Sequence, residues 1–172
     1  IRLKRAFVRV EVIRKGSDSK FRYHMFKRLN TGGEALTQQQ LRNCTIRMLN
    51  PTFIDFVIRK SKLEDFRECI ANISRQQTYG AFDQELVLRY FALKNYRQEF
   101  VHDVADFLTE YMELVSDPEN VDMEFDYKSE ERIFDKLFLV LNKSLGAKSF
   151  GRSGENGIQS NFSVYHFEGI CT

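Results

Sequence analysis

The 172-residue chain is 42% apolar and 29% charged, a balance that suits one globular domain with a sizeable core and excludes a disordered tail. Sixteen phenylalanines and seven tyrosines stand beside nine glycines and two prolines, so turns are scarce, long helices are favoured, and collagen-like, low-complexity and sandwich architectures are set aside. The net charge of +2 hides an asymmetry: residues 1–60 carry 14 Lys/Arg against 4 Asp/Glu, and residues 61–172 carry 12 against 20. Either a phosphate-attracting face is joined to an acidic body, or the two halves pair with each other.

The longest apolar run, Leu137–Leu141, falls far short of the roughly 20 residues of a membrane span, which predicts no membrane partner. Cys44, Cys69 and Cys171 are odd in number and share no metal-ligand spacing, as expected of reduced thiols in a cytoplasmic protein. The opening Ile1-Arg2-Leu3-Lys4-Arg5 has neither an initiator Met nor an apolar signal core and reads as cut from something longer.

In chain order, Val8, Val10 and Val12 alternate with Arg9 and Glu11 and predict a strand over residues 6–13. Behind the turn Lys15–Ser19, Phe21, Met25, Phe26 and Leu29 recur at helical spacing, and Asn30-Thr31-Gly32-Gly33 breaks that helix. Thr37–Gln40 has the form of a capping box opening the next helix, with Leu41, Cys44 and Met48 expected inward. Pro51 suits the first turn of a helix carrying Phe53, Phe56 and Val57, and Ser61–Glu64 reads as a second capping box before Leu63, Phe66, Ile70 and Ile73.

Asp83 is expected to cap a helix with Leu86, Val87, Tyr90 and Phe91 inside. Phe100, Val104, Phe107, Leu108, Tyr111 and Val115 line the next, which Asp117-Pro118 ends. A helix from about Ser129 to Leu145 is expected to bury Ile133, Leu137, Val140 and Leu141, with Gly146 at its C-terminus. Residues 151–157 read as a flexible loop, and Asn161 as the cap of a last helix. The expected fold is α+β, mostly α: an α/β unit over residues 1–50, then a helical bundle over 51–172.

His24, His102 and His166 are isolated from one another and from the cysteines, so no metal site and no nucleophile–base pair is marked. Asp103, Asp106, Glu110 and Glu113 spread along one helix as a solvated face would. The stretch Phe26–Asn43 is different. Gly32 and Gly33 let backbone N–H groups approach an anion, a helix N-terminus follows, and Arg28 and Arg42 supply forked donors. It reads equally as a phosphate cradle or as a tight helix-to-helix turn capped by Asn30.

The run Phe26-x-Arg28-Leu29-Asn30-Thr31-Gly32-Gly33-x-x-Leu36, followed by Leu41-Arg42-Asn43, closely resembles the signature of the DUF family at the N-terminus of GmrSD-type restriction endonucleases, in the ParB/sulfiredoxin-like superfamily. Asp83–Ala92, and Leu145-Gly146 through Phe150 to Asn161-Phe162, follow in the family's order. The resemblance runs from about Val8 onward.

It implies that residues 1–50 are the C-terminal part of a ParB-like nucleotide-binding unit, and that the chain is part of a nucleotide-dependent DNA-defence protein. Arg28, Asn30, Thr31, Gly32 and Gly33 would bind nucleotide, Arg42 and Arg47 would contact DNA, and the parent would use a nucleoside triphosphate with Mg. The family's Asp-Gly-Gln-Gln-Arg hydrolysis motif and the His-Asn-His nuclease module are absent, and Gln40 stands where a glutamate is common. No catalytic residue is therefore expected in this chain. The alternative from a different class is a non-catalytic helical protein-interaction domain. A plain DNA-binding module using the basic N-terminal half ranks last, because no helix-turn-helix or base-stacking signature is present.

Overall fold

The computed structural model describes Met25 and residues 36–101, 103–120, 123–154 and 157–171. The strand expected over 6–13 and the loop Arg28–Gly33 lie outside the described residues. Among the described residues the chain folds as α1 (Gln38–Ile46), α2 (Pro51–Ser61), α3 (Glu64–Cys69), α4 (Arg75–Tyr79), α5 (Phe82–Tyr96), α6 (Val104–Ser116), α7 (Tyr127–Leu145), the hairpin β1 (Ser153–Gly154) and β2 (Gly157–Ile158), and α8 (Val164–Cys171). The fold is mostly helical with one small antiparallel sheet, in which Ser153 faces Ile158 and Gly154 faces Gly157.

Helix starts follow local chemistry. Thr37 and Gln40 form the expected capping box of α1, and Asn50 caps α2 with Pro51 at its first position. The box read at Ser61–Glu64 does not form. Ser61 is buried in the last turn of α2, where its hydroxyl donates to the Ile58 carbonyl, and α3 starts without a side-chain cap behind Leu63. The second capping box is instead Ser74 with Gln77, opening α4. Asp83 lies within the first turn of α5, whose N-cap is Ala81 in the left-handed conformation (φ 61°). Asp103 and Asp126 cap α6 and α7, and Gly146 closes α7 at φ 52°.

Helix α5 runs through the middle, with Leu86, Val87, Leu88, Tyr90, Phe91 and Ala92 all buried. Around it the aromatic rings form a continuous network. Phe53 and Phe56 of α2 meet Phe125 at centroid distances of 5.1 and 5.5 Å. Phe66 of α3 meets Phe138 of α7 edge-on at 4.8 Å, and Phe134 lies 5.2 Å from Tyr90. Phe150 reaches Phe167 of α8 at 4.9 Å. Such tilted pairs add about 0.5–1.5 kcal/mol each to the burial of their area. Ile46 of α1 belongs to the same core as the helices beyond residue 50.

The buried stripe of α7 differs from the expected one. Phe134 and Phe138 are inside, Leu137 and Leu141 are half-buried, and Ile133 and Val140 are 41% and 53% exposed. The two rings present more apolar area at i, i+4 spacing than the aliphatic stripe does, and they turn the helix toward Phe66. Phe100 precedes α6 and is exposed, while Met112 joins Phe107, Leu108 and Tyr111 inside. The segment read as a flexible loop holds the hairpin. Asn161 accepts from the Arg152 backbone N–H and so fastens the hairpin, and His166 Nδ1 meets the Gly151 carbonyl oxygen at 2.6 Å. A side chain at Gly151 would collide with the Gln159 carbonyl, 1.7 Å from where its Cβ would sit.

Helices α2 and α7 are also joined by charge. Lys60, 3% exposed, places Nζ 2.7 Å from both Glu131 Oε1 and Asp135 Oδ1, and Arg59 pairs with Glu131 from the surface. Hydrogen bonds from Lys60 and Arg59 hold the Glu131 carboxyl below its ordinary pKa of about 4.5.

Two outcomes are expected. Phe138→Ala should lower unfolding free energy in denaturant melts by about 3–5 kcal/mol, whereas Val140→Ala should change it by less than about 0.5 kcal/mol. Because folding depresses the Glu131 pKa, its contribution is fully present above about pH 4.5 and is lost as pH falls through the folded value. The stability difference between the wild type and Glu131→Gln should thus be flat from pH 7 to about 5 and shrink below that, as read by melts across pH.

Candidate functional site

The described part of the motif region begins at Leu36, four residues before Gln40, and its geometry is set by the α1 capping box. Thr37 Oγ1 accepts from the Gln40 N–H and donates to the Gly80 carbonyl at 2.6 Å. Gln40 Oε1 accepts from the Thr37 N–H, while its Nε2 donates to the Tyr79 carbonyl at 2.9 Å. The start of α1 is therefore clamped onto the turn between α4 and α5. Gly80 is needed there, since a Cβ would sit 2.9 Å from Thr37 Cγ2, and the neighbouring Ala81 holds a positive φ that costs about 1–2 kcal/mol. A groove of about 310 Å³ opens beside this clamp, lined by Thr37, Ser74, Gln76, Gln77, Phe82 and Glu85 among others.

Beneath α1 lies a buried polar layer. The inward residues of α1 are Gln39, Arg42, Thr45 and Ile46, whereas Cys44 is exposed and Leu41 and Met48 are half-buried. The apolar residues predicted to face inward are thus displaced by a polar stripe, which is stable because α5 and α6 answer it group for group. Arg42, 3% exposed, donates Nη2 to Glu85 Oε2 at 3.0 Å, Nη1 to the Ala105 carbonyl at 3.2 Å and Nε to Gln39 Oε1 at 2.9 Å. The other Glu85 oxygen accepts from Arg89 at 2.9 Å, and Arg89 continues to Glu168 of α8. Alongside, Gln39 donates to Asn43 and Asn43 donates to Gln84 at 2.7 Å.

With both Glu85 oxygens taken by guanidinium groups, this layer holds elements in place and offers no free acid or base for proton transfer. Arg42, given to DNA on the sequence, faces the protein interior, and its guanidinium joins α1 to α5 and α6. Arg47 is on the surface and pairs with Asp55 of α2. Arg28, Asn30, Thr31, Gly32 and Gly33, the expected nucleotide ligands, lie outside the described residues. Sequence alone assigns no role to Glu85, Arg89 and Glu168, although Glu85 and Arg89 stand at the i, i+4 spacing of a helical ion pair.

Among the described residues no group of three or more His, Cys, Asp or Glu is placed to hold a metal, and no helix is long and apolar enough to cross a membrane. Elsewhere burial sets the chemistry of single groups. The Cys69 and Cys171 thiols are pushed upward in pKa by desolvation, which leaves them poor nucleophiles. Tyr96 is raised to about 12 by desolvation and by its hydrogen bond to Glu110. No protein-family model matches the chain, and no curated protein or solved structure matches it significantly.

The polar layer yields a comparison of two variants. Glu85→Leu removes the carboxylate shared by Arg42 and Arg89 and should cost about 3–5 kcal/mol. Arg42→Met removes one buried cation while Glu85 keeps Arg89, and should cost distinctly less. Chemical denaturation of both, side by side, checks the order.

Proposed function

We propose that this chain is the helical portion of a nucleotide-dependent DNA-defence protein of the GmrSD type, with nucleotide phosphates bound by Arg28, Asn30, Thr31, Gly32 and Gly33 of the loop that leads into α1. One observation carries the reading. The described end of the first stretch on which the family resemblance rests bonds the second, and the third packs on the residue that leads into the second.

Arg42 and Asn43 of the first stretch bond Glu85 and Gln84 of the second. Phe82, just ahead of the second, packs edge-on against Phe162 of the third, with centroids 6.1 Å apart. A glycine pair that must admit a phosphate needs flanking backbone that does not move, and the Thr37–Gly80 and Gln40–Tyr79 bonds fix the helix that follows it. A groove of about 310 Å³ opens beside Thr37, at the start of the helix that follows the motif. The parent protein would take a nucleoside triphosphate with Mg and act on DNA, while this chain alone, lacking the Asp-Gly-Gln-Gln-Arg motif, would bind without hydrolysing.

Calorimetric titration of nucleoside triphosphates with Mg tests the loop. Arg28→Ala should weaken binding by roughly 10- to 150-fold through loss of a charge-assisted contact, and Gly32→Val should block close backbone approach, both with small changes in melting temperature. Unchanged affinity together with a lowered melting temperature would make the loop structural and favour a non-catalytic helical interaction domain.

A further inference from the structure

Helix α7 sorts its charges by direction. Its three acids are consumed on the flanks: Glu130 by Lys94, Glu131 by Arg59 and Lys60, and Asp135 by Lys60. Asp126, just ahead, is spent on the backbone N–H groups of Lys128 and Ser129. The four bases of the helix, Lys128, Arg132, Lys136 and Lys143, are all exposed, and among the described residues none of their side chains has an ion-pair or hydrogen-bond partner.

At 3.6 residues per turn the four fall within an arc of about 80°, on the side away from Phe134 and Phe138, and extend over about 22 Å. Lys128, Arg132 and Lys136 follow one another at intervals of about 6 Å. This row stands on a segment, residues 61–172, with a net charge of −8, so it is a local positive feature on an acidic body.

We propose that this outer face of α7 binds the phosphate backbone of double-stranded DNA. The inference rests on the DNA part of the proposed function and is independent of the nucleotide loop. The row is as long as about six base-pair steps along the axis of B-DNA, and the helix that carries it is fixed by Phe134 and Phe138, so the cations are held in line before binding. Leu139 lies within this arc, between Lys136 and Lys143, and Val140 and Ile133 lie beside it, the three being 38–53% exposed. Three half-covered aliphatic side chains fall short of the broad apolar face that a membrane-surface helix buries. The contacts are with backbone phosphates, so they position DNA without reading its sequence.

The test is fluorescence anisotropy of a labelled mixed-sequence duplex titrated with the chain at several salt concentrations. Four phosphate contacts predict that log K falls against log [salt] with a slope of about −3.6. The double variant Arg132→Gln/Lys136→Gln should reduce that slope by about 2 and weaken binding at low salt by about tenfold or more. The control Lys62→Gln/Arg97→Gln removes the same charge from exposed positions elsewhere and should leave the slope unchanged. Thermal melts should show all variants folded.

Equal losses in both double variants would mean that only net charge matters and would overturn the proposal. So would an absence of duplex binding by the wild type, or tighter binding to phosphatidylserine vesicles than to duplex. Triphosphate titration of the α7 double variant separates the two readings. Duplex binding lost with nucleotide affinity retained supports this face, whereas failure of nucleotide binding with duplex binding intact removes the loop assignment alone.

Discussion

A helix buried on nearly every side can carry charge only where that charge is paired. Helix α5 buries Leu86, Val87, Leu88, Tyr90, Phe91 and Ala92, which leaves a narrow strip for Glu85 and Arg89. An unpaired carboxylate in that position would shift its pKa or destabilise the fold by several kcal/mol. Glu85 instead accepts from Arg42 of α1 and from Arg89, and Arg89 reaches Glu168 of α8. Helices α1 and α8 are therefore tied to the central one by a chain of alternating charges, Arg42–Glu85–Arg89–Glu168. The direction in which α1 enters the body follows from where Arg42 must place its guanidinium.

The aromatic network answers a different demand. With no tryptophan and sixteen phenylalanines, the interior is filled by rings of similar size, which pack edge-to-face at many angles and bring few polar atoms inside, the Tyr111 hydroxyl among them accepting from Asn95. Helices of unequal length can then converge on α5 without a regular bundle geometry. Ion pairs close the periphery: Lys60 is nearly buried between two α7 carboxylates and links α2 to α7 over the top of the ring network. The consequence for α7 is that its acids are drawn to the flanks and its bases are left facing outward, a division set by the positions of Arg59, Lys60 and Lys94.

Much of the helical layout is legible in the sequence. The Thr37–Gln40 capping box, Pro51 after Asn50, Asp117-Pro118 and Gly146 each act through bonds within a few residues, so their outcome hardly depends on the rest of the chain. The misread positions share one cause. Ser61–Glu64 has the composition of a capping box, but burial of Ser61 against the core keeps α2 helical through it. Leu41, Cys44 and Met48 recur at helical spacing in and just past α1, yet the interior at that place holds Glu85 and the Ala105 carbonyl, to which Arg42 is the complementary group. Hydrophobic periodicity cannot register a polar interior that is satisfied by residues more than forty positions away.

Sequence by itself determined the helix-rich character of the chain, the starts of α1 and α2 and the ends of α6 and α7, the choice of Leu86, Val87, Tyr90 and Phe91 as interior, and the motif that carries the family resemblance. These follow from short-range capping and from the preference of large apolar side chains for burial. Tertiary structure alone decided that Arg42 is an internal strut, that Phe134 and Phe138 displace Ile133 and Val140 from the core, and that residues 153–154 pair with 157–158. It also decided which α7 charges remain unpaired. Each of these depends on which partner arrives across a long sequence separation, and electrostatic pairing and ring packing are settled only when both partners are in place.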